Sequence, residues 1–258
     1  MTVSERPVAV PPVDEPAVGM VVQFGLLAAL AAGVGLGPAG WLLGSAYALT
    51  TWLLLSHALR RSGRYVLGPA NQVTLARATL VGGVAALVAD SFRGDTPIAV
   101  LVTLATVALA LDAVDGQVAR RTGSTSALGA RFDMEVDAFL ILVLSAFVAT
   151  SLGAWVLAIG ALRYVFVVAA LVLPWLRAAL PPRFSRKTVA ALQGIMLVVA
   201  VSGILPRPLA IAWVALALAM LVWSFARDVS WLWRARPRPV GREKIQDLPR
   251  PAPAAVRS

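Results

Sequence analysis

The sequence predicts an all-α, polytopic transmembrane helix bundle of about eight spans. Three observations carry this expectation. The composition is 59% hydrophobic against 14% charged, with a mean hydropathy of +0.80, a balance that a soluble domain of 258 residues does not reach. Eight apolar stretches follow one another, each long enough to cross about 30 Å of hydrocarbon. The connections between them are short, and prolines sit in several: Pro38, Pro97, Pro206 and Pro208.

Residues 1–18 are rich in proline and acidic side chains and lack the basic start and cleavage site of a signal peptide, so a disordered tail is expected there. Two apolar spans, 19–36 and 39–58, meet around Pro38 and fill an N-terminal segment to residue 59. The third span, 72–89, opens at Gly68-Pro69-Ala70-Asn71, with Asn71 as the N-cap. Asn71, Thr74 and Arg77 recur every three residues and share one helix face. The fourth span, 98–119, starts after Pro97 and ends in Asp112 and Asp115. The fifth, 130–150, begins after a short polar connection, which makes it the antiparallel neighbour of the fourth. The sixth, 153–175, holds Arg163 well inside an apolar run, where an arginine needs a cavity or a partner. The seventh, 188–204, follows Arg186 and Lys187, and the eighth covers 208–226. From residue 234 to 258 proline and arginine dominate, and a second disordered tail is expected, as a topology anchor or as a segment drawn to anionic lipid.

Basic residues cluster in alternate connections. Arg60, Arg61, Arg64 and Arg77 flank the second and third spans; Arg120, Arg121 and Arg131 follow the fourth; Arg177, Arg183, Arg186 and Lys187 follow the sixth; Arg227, Arg234, Arg236 and Arg238 follow the eighth. The other connections offer only Arg93 and Arg207. By the positive-inside rule both termini and the Asp-bearing connection face the cytoplasm of a multi-pass cell-membrane protein. The same rule accounts for the net charge of +10 without nucleic acid, and no basic platform interleaved with aromatics is present. With no cysteine in the chain, disulfides and thiolate metal sites are excluded.

The densest chemistry lies between residues 112 and 137. Five of the thirteen acidic residues fall in this window, in the pattern Asp112-x2-Asp115-Gly116-x2-Ala119-Arg120-x8-Gly129-x3-Asp133-x3-Asp137. Asp112 and Asp115 lie one turn apart on one helix, and Gly129, Asp133 and Asp137 share a face of the next. Two carboxylates from each helix can therefore converge on one centre. Four carboxylates that close repel one another, and hard divalent cations relieve this: oxygen ligands suit Mg²⁺ or Mn²⁺, two ions for four aspartates. The competing expectation is a structural pairing of these acids with Arg120, Arg121 and Arg131. Gly116, Ala119 and Gly129 leave a shallow surface, either for a planar base or for close helix packing. Arg120 can chelate a diphosphate through two parallel hydrogen bonds.

These eight spaced residues match in full the signature of the CDP-alcohol phosphatidyltransferase family, which the chain resembles from about Asn71 to Arg227. The Asn71-x2-Thr74-x2-Arg77 start of the third span is similar to the start of that family's first core helix. The resemblance implies a six-helix catalytic core over about 60–233, preceded here by two further helices, with the active site near the cytoplasmic face. It implies metal on Asp112, Asp115, Asp133 and Asp137, and the CDP moiety on Gly116, Ala119, Arg120 and Gly129. Asn71, Thr74 and Arg77 join the donor side, although Arg77 also reads as an interfacial anchor. It further implies a homodimer.

The resulting expectation is an enzyme that transfers a phosphatidyl group from CDP-diacylglycerol to a small polar alcohol, releasing CMP, with Asp137 as the base. Arg163, Arg186 and Lys187 are candidates for holding a phosphorylated acceptor, each with a structural alternative. The residues after Asp137, Ala138-Phe139-Leu140, lack the basic residue that marks some acceptor classes, so the acceptor stays open. A reversed assignment, in which a soluble CDP-alcohol donates to diacylglycerol, uses the same motif. An ion-coupled transporter is disfavoured because its acids would lie near the membrane midplane, not at one face. A silent scaffold is disfavoured by the complete motif.

Overall fold

A computed structural model describes residues 15–62, 69–122, 127–178 and 184–236. Among the described residues the protein is all-α, with eight α-helices: α1 (Glu15–Val34), α2 (Pro38–Ser62), α3 (Pro69–Ser91), α4 (Ile98–Thr122), α5 (Ala127–Leu152), α6 (Leu157–Val172), α7 (Phe184–Val201) and α8 (Arg207–Ala235). Proline opens or precedes α2, α3 and α4, where its missing N–H has no helical partner to lose.

Among the described residues, six helical segments are long and apolar enough to cross a membrane, in α1, α2, α3, α5, α6 and α8; the apolar stretches of α4 and α7 are shorter, Ile98–Val114 and Thr188–Val201. The shortfall has a simple cause. The last turns of α4 carry Asp112, Asp115, Arg120 and Arg121, and the first turn of α7 carries Arg186 and Lys187. Several bounds also differ from the sequence expectation. Helix α1 starts at Glu15, inside the expected tail, where a carboxylate in the first turn is favoured by the helix dipole. Helix α8 runs on to Ala235. The expected sixth span is divided: Gly153, with φ 106°, leads into a 3₁₀ turn over Ala154–Val156, and Pro174 ends the helix in a second 3₁₀ turn over Pro174–Arg177.

Helix α3 is the axis of the bundle. It is 67% buried over its apolar window, against 17–39% for the other five long helices, and it packs on α1, α2, α4 and α5. Small residues make this possible: Ala78, Ala85 and Ala86 of α3 are buried among Leu27, Leu101, Ala105 and Leu144. On the other side α5 packs on α6 and α7, and α7 on α8. At Gly160 the α6 backbone lies so near α5 that an added Cβ would sit 2.4 Å from Leu142 Cα.

The α1–α2 hairpin is fastened to α3 at both ends. Gln72 Nε2 donates to Glu15 Oε1 at 2.8 Å, and the Gly37 amide donates to Asp90 Oδ2 at 2.5 Å. In addition, Tyr47 of α2 stacks on Phe139 of α5 with ring centroids 4.9 Å apart. The two helices ahead of the core therefore brace both α3 and α5.

Candidate active site

The helix order brings the N-terminal turns of α3 and α5 and the C-terminal turns of α4 to one end of the bundle. Asn71, Thr74 and Arg77 occupy one face of α3 and are all buried, Arg77 to 1% exposure. Such a guanidinium needs anionic partners close by. It finds them on the two neighbouring helices. Nη1 donates to Asp112 Oδ1 at 2.5 Å. Nη2 donates to the Asp133 carboxylate and to the Asp133 carbonyl oxygen, the latter at 3.2 Å. The same Nη2 lies 3.1 Å from Asp137 Oδ1.

Asp112, Asp133 and Asp137 thus converge as the sequence spacing predicts, each offering an oxygen within 4.8 Å of the others. Their side chains are 34–37% exposed, so the cluster is closed by Arg77 beneath and open above. Among the described residues, the arginine that meets these carboxylates is Arg77, from α3. Of the arginines named as structural partners, Arg131 is exposed, and the side chains of Arg120 and Arg121 lie outside the described residues.

The remaining motif positions divide. Gly129 is buried in the first turn of α5. Asp115, Gly116, Ala119 and Arg120 lie on α4, with side chains outside the described residues. Glu135, off the acidic face and 58% exposed, accepts from Arg163 Nη2 at 2.5 Å, and Arg163 Nη1 points at Met134 Sδ at 3.8 Å. Arg163 therefore crosslinks α6 to α5. Arg186 Nε lies 3.6 Å from Asp228 Oδ2, and Arg227 Nε 4.0 Å from Asp228 Oδ1, next to the Trp223 ring on which Arg227 stacks at 4.7 Å. The Lys187 side chain lies outside the described residues. Asp228, 8% exposed on α8, was not singled out from sequence. A lone carboxylate in the run Phe225-Ala226-Arg227-Asp228-Val229 is the signal that could have found it.

The donor set suits a hard cation. Its ligands are carboxylate oxygens alone. Two oxygens on one Mg²⁺ lie at most about 4.2 Å apart, and the three carboxylates here each offer an oxygen within 4.8 Å of the others. Among the described residues, three carboxylates against one guanidinium leave an excess of negative charge for a cation to neutralise.

The family model for CDP-alcohol phosphatidyltransferase matches residues 68–224, from the start of α3 into α8. No curated protein and no solved structure matches the chain.

Proposed function

The chain belongs to the CDP-alcohol phosphatidyltransferase family, and from that premise we propose that it transfers a phosphatidyl group from CDP-diacylglycerol to a small polar alcohol with release of CMP. The observation that carries this reading is the convergence of Asp112, Asp133 and Asp137 at one open end of an apolar bundle. A lipid donor reaches such a site from the bilayer and a polar acceptor reaches it from water.

Asp112, Asp115, Asp133 and Asp137 would hold two Mg²⁺ or Mn²⁺ ions, which neutralise the donor diphosphate and stabilise the departing CMP. The protein's own groups do the rest. Asp137 takes the proton of the acceptor hydroxyl. The new bond joins that oxygen to the phosphorus bearing diacylglycerol, and the bond from this phosphorus to the bridging oxygen of CMP breaks. Positioning and charge neutralisation supply most of the catalysis in such a transfer. Gly116, Ala119, Arg120 and Gly129 would receive the CDP moiety, with Asn71 and Thr74 of α3 on the donor side, as the family resemblance implies. Arg163 and Arg186 are the described candidates for an acceptor phosphate, Arg163 being paired with Glu135 and Arg186 with Asp228. All eight helices cross the membrane, with the acidic end in the cytoplasm, as the arginine distribution supports.

The test is purified protein supplied with labelled CDP-diacylglycerol and a panel of acceptors: glycerol 3-phosphate, inositol 1-phosphate, serine and phosphatidylglycerol. Acceptor-dependent CMP release supports the reading. Release only from a soluble CDP-alcohol with diacylglycerol reverses donor and acceptor. No CMP from either donor set removes the assignment.

A further inference from the structure

We propose that Arg77 is the built-in counter-cation of the metal-free site and that it competes with divalent metal for the same carboxylates. The inference rests on the metal reading above but concerns a residue outside the Asp motif. Its basis is the coincidence of two sets of atoms. The guanidinium bonds Asp112 and Asp133 and lies 3.1 Å from Asp137. Those are the same three residues whose oxygens lie within 4.8 Å of one another.

Electrostatics makes the two occupants antagonists. A carboxylate has lone pairs enough for more than one partner, so sharing is sterically possible. A guanidinium and a divalent ion a few ångströms apart nevertheless repel strongly, and burial of Arg77 removes the water that would screen them. Without metal, Arg77 ties α3 to α4 and α5 and keeps the acids from repelling each other apart. As metal enters, Arg77 yields carboxylate contacts and the ion takes over the crosslink. The site thereby stays assembled in both states, and the arginine sets how tightly metal is held.

The experiment measures Mn²⁺ binding to the purified full chain, by the electron paramagnetic resonance signal of free Mn²⁺, together with thermal unfolding in EDTA and in Mn²⁺. Wild type is compared with Arg77→Gln and Arg77→Lys. Arg77→Gln is expected to bind Mn²⁺ tighter by on the order of tenfold or more, the effect of removing one positive charge a few ångströms away even at high dielectric. It should melt lower than wild type in EDTA and recover in Mn²⁺. Arg77→Lys keeps the charge and should bind Mn²⁺ much as wild type does. Should Arg77→Gln fail to fold in EDTA, its recovery in saturating Mn²⁺ is the expected result, and failure to recover overturns the proposal. Unchanged or weaker Mn²⁺ binding by Arg77→Gln also overturns it. A wild-type protein that binds no Mn²⁺ at all removes the metal reading instead, so the two failures are distinguishable.

Discussion

The Arg77 guanidinium of α3 donates to Asp112 of α4 at 2.5 Å, joining the buried axis of the bundle to the first aspartate of the motif. Because its other terminal nitrogen meets Asp133 and Asp137 of α5, one side chain sets the spacing of three helices. Catalytic geometry here depends on how firmly α3, α4 and α5 are held.

Metal removal should stop turnover. Three described carboxylates with no cysteine or histidine among them call for a hard divalent ion. EDTA is expected to abolish CMP release, and Mg²⁺ or Mn²⁺ to restore it. Undiminished release in EDTA would mean that the carboxylates serve some other purpose.

Tyr47→Ala should lower both stability and rate. It deletes the ring stacked on Phe139, two residues beyond Asp137. The expected cost is roughly 2–3 kcal/mol for a half-buried aromatic, read as a lower midpoint of thermal unfolding in detergent. The rate should fall with it, because α5 loses its aromatic contact with α2. Tyr47→Phe keeps the stack and should keep the rate.

Gly160→Leu should separate α6 from α5. Even its Cβ would meet the Leu142 backbone at 2.4 Å, and backbone does not yield as a side chain tip does. Overpacking of this kind costs typically 1–3 kcal/mol or more. A variant as stable as wild type would show that the two helices are less closely packed than described.

Orientation is open to chemical labelling. Single cysteines introduced at Ser124 and Ser258 should resist an impermeant thiol reagent in intact cells, whereas one at Ser91, at the far end of α3, should react. The reverse pattern would turn the whole bundle over.

Much of this was legible in the chain. Apolar length announced eight helices, and the spacing of Asp112, Asp133 and Asp137 announced a common centre, because helical periodicity translates directly into shared faces. What escaped was long-range pairing. Arg120, Arg121 and Arg131, near in sequence, were the partners offered for the acids; Arg77, 35 residues before Asp112, joins them through the packing of α3 on α4, which no local pattern announces. Asp228 escaped for the same reason: its pairing with Arg186 depends on α8 folding back along α7. The bracing of α3 by the first two helices, through Glu15 and Asp90, has no local pattern at all.

Whether Asp137 is the base is decided by comparing Asp137→Asn with wild type for two quantities in saturating Mg²⁺: binding of labelled CDP-diacylglycerol and acceptor-dependent release of CMP. Asp115→Asn serves as the control for a ligand without a base role and should weaken donor binding as well as turnover. Asp137→Asn is expected to lose at least about 10²–10⁴-fold in rate, the usual cost of removing a general base, with donor binding largely kept. Loss of donor binding as severe as in Asp115→Asn would make Asp137 chiefly a metal ligand, and near-normal turnover would contradict the claim that the motif performs the transfer.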